Sequence, residues 1–282
     1  MVDNTLLGIA LPTIGRDLGG DTAALQWITG AYSLTFGGLL LTAGSIADRF
    51  GRRRVLQVGL ALFGILSLGV LLVSTTGELI ALRAALGIAA AAMAPITNSL
   101  VFRLFDDDAL RMRAITIMMV VGMSGFILGP VLGGSMLATV SWHWLLLINA
   151  PIALIAALGV HFGVSADDPA GLTKDRLDLP GAVLSMLTIG LACFTLTSGA
   201  QYGWLSPITI AVAAGAVASI ALFIWREKRA ASPMLDLNLF RTGTVRGAVI
   251  AQVGTSIAMA WLDWRLMLIV LALVPAVLLP AT

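Results

Sequence analysis

Only 11% of the 282 residues are charged, 59% are hydrophobic and the mean hydropathy is +0.98, whereas a soluble domain is about a quarter charged; a soluble enzyme or binding domain is excluded. The apolar runs are continuous rather than alternating and reach the ~18 residues needed to cross a hydrocarbon layer about 30 Å thick, so they read as membrane helices and not as β-barrel strands. The net charge of +2 says little until its placement is considered.

Ten apolar segments follow one another at roughly 1–14, 25–47, 55–74, 77–100, 112–139, 144–163, 179–200, 206–225, 243–260 and 266–280. The first is too short to span, since a helix of about 20 residues ending near Ile14 begins before Met1; the expectation is a first helix lacking its outermost half, and a chain cut at both ends. Thirty glycines and ten prolines suit membrane spans better than soluble helices. Alternating the connections puts Arg49, Arg52, Arg53, Arg54, Arg103, Arg111, Arg113, Lys174, Arg176, Arg226, Lys228, Arg229, Arg241 and Arg246 on one side. Only Arg16 and Arg265 fall on the other, and Arg83 lies within a span. The positive-inside bias makes the first side cytoplasmic in a multi-pass membrane protein. Trp142 and Trp144 then sit at the outer surface as an aromatic belt. The polar stretches 164–178 and 226–242 divide the chain into a six-helix bundle (1–163), a linker (164–178), a central helix pair (179–225), a cytoplasmic loop (226–242) and the start of a further bundle (243–282). Cys193 is the single cysteine, so no intrachain disulfide forms. No signal peptide, metal-ligand cluster, phosphate-binding loop or nucleic-acid module is expected from these residues, and no cofactor is implied.

The sharpest stretch is Gly44-Ser-Ile-Ala-Asp48-Arg49-Phe-Gly51-Arg52-Arg53-Arg54, between the second and third spans. So tight a turn needs a residue such as Gly51 that tolerates positive φ, and Gly44 is expected to allow close helix approach. Asp48 is able to serve a helix N-terminus or one of the arginines. An ordinary basic loop accounts for the arginines but not for Asp48 and the spaced glycines. The segment resembles the signature loop of the major facilitator superfamily, G-x-x-x-D-R-x-G-R-[RK]-[RK], at every position. That resemblance implies an all-α membrane fold in which Gly44, Asp48, Arg49, Gly51 and Arg52 belong to a cytoplasmic gate.

Three more stretches resemble the fourteen-helix drug:proton antiporter branch of that superfamily. Asp3-Asn-Thr-Leu-Leu-Gly-Ile-Ala10-Leu11-Pro12 is similar to its first-helix motif. Helical rise puts Asp3 about 16 Å from the outer end of its helix, near mid-membrane, where an ionisable group is a functional candidate by default. A shortened helix merely capped by Asp3 is the bland alternative. Leu82-Arg83-Ala-Ala-Leu-Gly87 resembles the fourth-helix motif; Arg83 stays charged, about 9 Å inside its helix start, and its bland reading is a snorkelling side chain. Desolvation favours a neutral carboxyl and a nearby arginine favours the carboxylate, so Asp3 and Arg83 are expected to form a proton-sensitive pair. Gly122-Met-Ser-Gly125-Phe-Ile-Leu-Gly129-Pro130-Val-Leu-Gly133-Gly134 resembles the fifth-helix antiporter motif, which implies export. Gly125, Gly129 and Gly133 share one face, Pro130 loosens the ladder there, and Gly134 completes the motif. Trp142-His143-Trp144 and Ile148-Asn149-Ala-Pro151 resemble the family's sixth helix, with His143 at the interface rather than in a proton relay.

A rival reading takes Gly122-Met-Ser124-Gly125 as the nucleophile motif of an intramembrane protease, but His143 and His161 are each expected more than about 15 Å from the level of Ser124. The sequence therefore points to proton-coupled antiport of small amphipathic compounds, with a proton, a small molecule and the lipid bilayer as partners. An inactive remnant, or an accessory membrane subunit, is the alternative.

Overall fold

The computed structural model describes residues 2–168, 172 and 178–230, with isolated positions at 243, 246–248, 250, 251 and 254. Contacts divide the chain into units Met1–Met234 and Leu235–Thr282. The expected segments 243–260 and 266–280, and most of both polar stretches, lie outside the described residues.

The first unit is helical throughout, in the order α1 Val2–Leu18, α2 Thr22–Phe50, α3 Arg52–Leu68 with a 3-10 turn at Gly69–Leu72, α4 Thr76–Leu104, α5 Asp108–Leu137, α6 Trp142–Leu147, α7 Asn149–Gly163, α8 Leu179–Tyr202 and α9 Pro207–Glu227. Local chemistry sets the starts. Asp21, Thr75, Asp107, Ser141, Asp178 and Ser206 each accept a backbone N–H from the first turn of the helix that follows. Glu78 completes a capping box with Thr75. Gly51 divides α2 from α3 at φ 95°, as the turn requires.

Two boundaries differ from the hydropathy reading. The first helix runs past Ile14 to Leu18, because Arg16 folds back onto the Pro12 carbonyl and the Thr13 hydroxyl, so the helix outlasts its apolar run. The sixth apolar segment is two helices, α6 and α7. Pro151 has no N–H for the Leu147 carbonyl, and α6 stops at Leu147.

Helix α1 lies along α5, α2 along α4 and α8, α3 along α4 and α7, and α8 along α9. One stripe of α1 (Leu6, Leu7, Ala10, Ile14) is buried with Ile28, Leu79 and Trp142, while Asn4, Gly8 and Pro12 on the opposite stripe are exposed. At one end of the unit, Thr76 reaches the Leu18 carbonyl and Trp142 reaches Asp17. At the other end the Arg53 guanidinium meets the His161 carbonyl and Arg103 meets Asp167. The basic connections after α2 and α4 therefore share an end with the segment after α7, as alternation requires. Large apolar side chains stand bare along α5 and α7, Ile127, Ile155 and Phe162 among them. Such a surface aggregates in water and fits a bilayer. Among the described residues, five helical stretches are long and apolar enough to cross, and no strand is present. The chain is an all-α, multi-pass membrane protein.

A buried ion pair and a carboxylate clamp as candidate functional site

The α1 stripe that faces α4 carries Asp3, and α4 carries Arg83 seven residues past Thr76, on the face turned to α1 and α2. Arg83 is 0% exposed and Asp3 7%. Their side chains meet at 2.5 Å, Arg83 Nη1 donating to Asp3 Oδ2. Each remaining donor of the guanidinium used in the site is aimed separately: Nη2 to Asn4 Oδ1 at 2.9 Å and Nε to the Ile28 carbonyl at 3.4 Å. The flat cation also lies over the Tyr32 ring, 4.5 Å from its centroid. Asp3 Oδ1 accepts from the Asn149 amide at 2.6 Å. An ion is costly to bury unless it is paired and its other lone pairs are bonded, and both conditions hold. Arg83 is thus no snorkelling side chain; it ties α1, α2 and α4 together, and Asn149 adds the sixth span.

Helix α5 supplies the surface against which α1 rests. Gly125, Gly129 and Gly133 are its buried residues, and the Thr5 hydroxyl donates to the Gly125 carbonyl at 3.3 Å. A methyl group at Gly129 would run into Thr5 Cβ at 2.7 Å, and one at Gly133 into Leu6 and Ile9. Gly134 faces open space, and Pro130 is exposed on the far side of an α5 that continues through it.

At the basic end, Asp48 pairs with Arg52 one turn on, at 3.0 Å. Gly51 cannot cap α3 with a side chain; Asp167, from beyond α7, does so instead. Its Oδ2 accepts the Arg53 backbone N–H at 2.8 Å, and its Oδ1 accepts from Arg103 at 2.5 Å. A methyl group at Gly51 would meet Asp167 Oδ2 at 2.9 Å, so this glycine serves the clamp as well as the turn. A cleft of about 480 Å³ lies among Ala47, Asp48, Arg52, Arg103, Asp167, Asp168 and Leu172. Gly44 does not mediate the expected close approach among the described residues: a methyl group there would meet nothing within 4 Å. Arg49 lies over the Phe50 ring, 5.6 Å from its centroid.

Burial alone would raise the Asp167 carboxyl. The Arg103 hydrogen bond, the Arg53 N–H and the charges of Arg103 and Arg52 outweigh it and hold this carboxyl below its usual range. A carboxyl depressed in the folded state contributes stability above its unfolded pKa and loses it as pH falls through the folded one. Asp167→Asn is therefore expected to lower the Tm of the detergent-solubilised protein at neutral pH and to have no effect in strong acid. The loss should be a few degrees, about 2–4 °C for each kcal/mol in a domain of this size. An equal loss at both pH values would show that charge plays no part in the clamp.

Sequence reasoning quoted Asn149 without giving it a role, and passed over Asn4, Tyr32 and Asp167. Polar residues inside a span signal interhelical bonds, so Asn149 carried a usable signal; Asp167 did not, because acidic residues in loops are ordinary. The protease reading is not supported by the geometry. The Ser124 hydroxyl donates to the Val121 carbonyl at 2.7 Å, His143 bonds Ser141, and His161 bonds Gln57.

Membrane-length helices packed around a buried carboxylate–arginine pair define a polytopic membrane protein. Residues 1–177 match the family model described as Major Facilitator Superfamily. The chain belongs to the Major Facilitator Superfamily, a family of transporters and not of enzymes. It is 35% identical over 254 residues to the puromycin resistance protein pur8 of Streptomyces alboniger, covering 90% of this chain and 50% of that protein. The cephamycin export protein CmcT of Amycolatopsis lactamdurans is 35% identical over 239 residues, 84% of this chain and 49% of CmcT. The multidrug efflux pump LfrA of Mycolicibacterium smegmatis is 34% identical over 252 residues, 89% of this chain and 49% of LfrA. The chain spans about half the length of these curated relatives. All are bacterial, in keeping with a multi-pass protein of the bacterial inner (plasma) membrane.

Proposed function

We propose that this chain carries the proton-coupling half of an exporter that exchanges small amphipathic compounds for protons. The observation that carries the reading is the Asp3–Arg83 pair: a titratable group and its counter-ion, buried among membrane helices, with Asp3 next in sequence to Asn4 on the exposed α1 stripe of Asn4, Gly8 and Pro12. In the exchange, Asp3 takes a proton as substrate leaves and gives it up as substrate binds, while Arg83 balances the carboxylate in between. The Asp48–Arg52 pair and the Asp167 clamp hold the α2–α3 turn as a cytoplasmic gate, with the connections after α2, α4 and α7 inside the cell. The glycine face of α5 lets α1 rock against it. Export is favoured over uptake by the fifth-helix motif and by relatives named for export, efflux and resistance.

The test is a pH gradient in everted membrane vesicles containing the protein, followed with a pH-sensitive dye. Puromycin is the first compound to add, because one relative is a puromycin resistance protein; a panel of amphipathic cations follows. Collapse of the gradient on addition supports antiport. A gradient indifferent to every compound favours the alternative, a remnant or accessory subunit without transport of its own.

A further inference from the structure

Asp3 has two oxygens with different partners, and the difference gives Asn149 a function. Oδ2 faces Arg83 Nη1 at 2.5 Å, and Oδ1 faces the Asn149 amide at 2.6 Å. An ionised carboxylate only accepts hydrogen bonds, so the amide must present its nitrogen to Oδ1. Asn149 is 7% exposed and sits where the sixth span breaks, first residue of α7 after the α6 that ends at Leu147. Among the described residues, the charged or titratable groups acting on Asp3 are Arg83 from α4 and the Tyr32 phenol from α2. Helix α5 meets this part of α1 through glycines, and the α6–α7 joint presents the uncharged amide.

We propose that Asn149 is a positioning residue that makes the proton and Arg83 compete for a single oxygen of Asp3. With Oδ1 already accepting from the amide, an incoming proton forms its O–H bond at Oδ2, and the Nη1–H···Oδ2 hydrogen bond breaks. Arg83 keeps all its protons, and no electrons change hands. Oδ1 becomes the carbonyl oxygen of the neutral acid and still accepts from Asn149, so α1 stays tied to the sixth span in both protonation states while its ionic contact with α4 is made and broken. Asn4 Oδ1 and the Ile28 carbonyl keep a place for the released guanidinium. Without the amide a proton could settle on Oδ1 with Arg83 still bound to Oδ2, and protonation would no longer move the arginine. The inference rests on reading Asp3 as the coupling carboxylate.

The test is infrared difference spectroscopy of the purified 282-residue chain on acidification. The protonated Asp3 C=O band is identified by its loss in Asp3→Asn. In the unmodified chain that band should lie at the low wavenumber of a hydrogen-bonded acid. In Asn149→Leu, which keeps the volume without the donor, the proton settles on Oδ1 and the carbonyl at Oδ2 accepts from the Arg83 cation, a stronger donor than an amide. The band should therefore move to lower wavenumber still, and Asn149→Gln, which keeps the donor, should bring it back at least in part. A shift to higher wavenumber would mean a carbonyl with no donor left and no competition for Oδ2, and overturns the proposal. Should Asn149→Leu fold poorly, Asn149→Ser gives the same comparison with a donor too short to span the gap. A band unmoved by loss of the amide overturns the role of Asn149 and leaves Asp3 as coupling carboxylate intact. Absence of any acid band that Asp3→Asn removes overturns both.

Discussion

Asp3→Asn is expected to abolish substrate-triggered proton release from the purified protein while leaving substrate binding largely in place. The replacement keeps the shape of the side chain and removes both its titration and its charge. The Arg83 guanidinium then loses the one anion within its reach among the described residues and is left with Asn4, the Ile28 carbonyl and the Tyr32 ring. Breaking a buried ion pair from one side costs about 3–5 kcal/mol, because the surviving charge is uncompensated; these neutral contacts offset part of that, so reduced yield should accompany the functional loss. Arg83→Lys separates charge from geometry. Lysine keeps the charge, but its three donors radiate from one nitrogen and cannot satisfy Asp3, Asn4 and the Ile28 carbonyl in three directions. It is expected to be impaired as well, less severely than Asp3→Asn. Unchanged proton release from Asp3→Asn would exclude Asp3 as the proton carrier.

Much of this was legible in the sequence because the bilayer restricts what a chain can do. Continuous apolar runs had to be helices, and the arginine tally fixed which connections share an end. The Asp3–Arg83 contact was less accessible. Counting rise along each helix put Asp3 about 16 Å and Arg83 about 9 Å from the outer ends of their helices, a mismatch that leaves pairing undecided until the helices are placed side by side. Their motif neighbours suggested partnership; the contact needed three dimensions. The break at Leu147 was readable from Pro151, yet hydropathy averages across such a break. Asp167 illustrates the opposite limit: its role depends on the segment after α7 returning to the α2–α3 turn, a long-range packing outcome with no local periodicity. Gly44 and Gly87 show why motif glycines cannot be read alike, since both fit a pattern and only one lies against a neighbour.

Gly87→Ala is expected to be the most damaging single-methyl change in the described part of the chain. Helix α4 lies so close to α2 at this point that a Cβ on Gly87 would overlap the Thr35 hydroxyl and the Tyr32 carbonyl oxygen, with Tyr32 Cα at 3.1 Å. Two of these atoms are backbone and cannot turn aside, and the Thr35 hydroxyl is itself engaged with the Ala84 carbonyl at 2.9 Å. Room comes only from moving the helices apart. Overpacking costs about 1–3 kcal/mol, and more where backbone must shift, equivalent to roughly 2–4 °C in Tm per kcal/mol. The displacement also reaches the ion pair, because α2 supplies both the Tyr32 ring beneath Arg83 and the Ile28 carbonyl that its Nε contacts. Gly87→Ala should therefore lower the Tm in detergent and reduce substrate-triggered proton release together. Adding Thr35→Ala removes the hydroxyl overlap but not the backbone one, so it should rescue little. Gly44→Ala, with open space around its Cβ, is the matched control and should be close to neutral. If Gly87→Ala melts like the unmodified protein, α2 and α4 approach less closely than the structure has them, and the close contact that places Tyr32 and Ile28 around Arg83 is not what holds the pair.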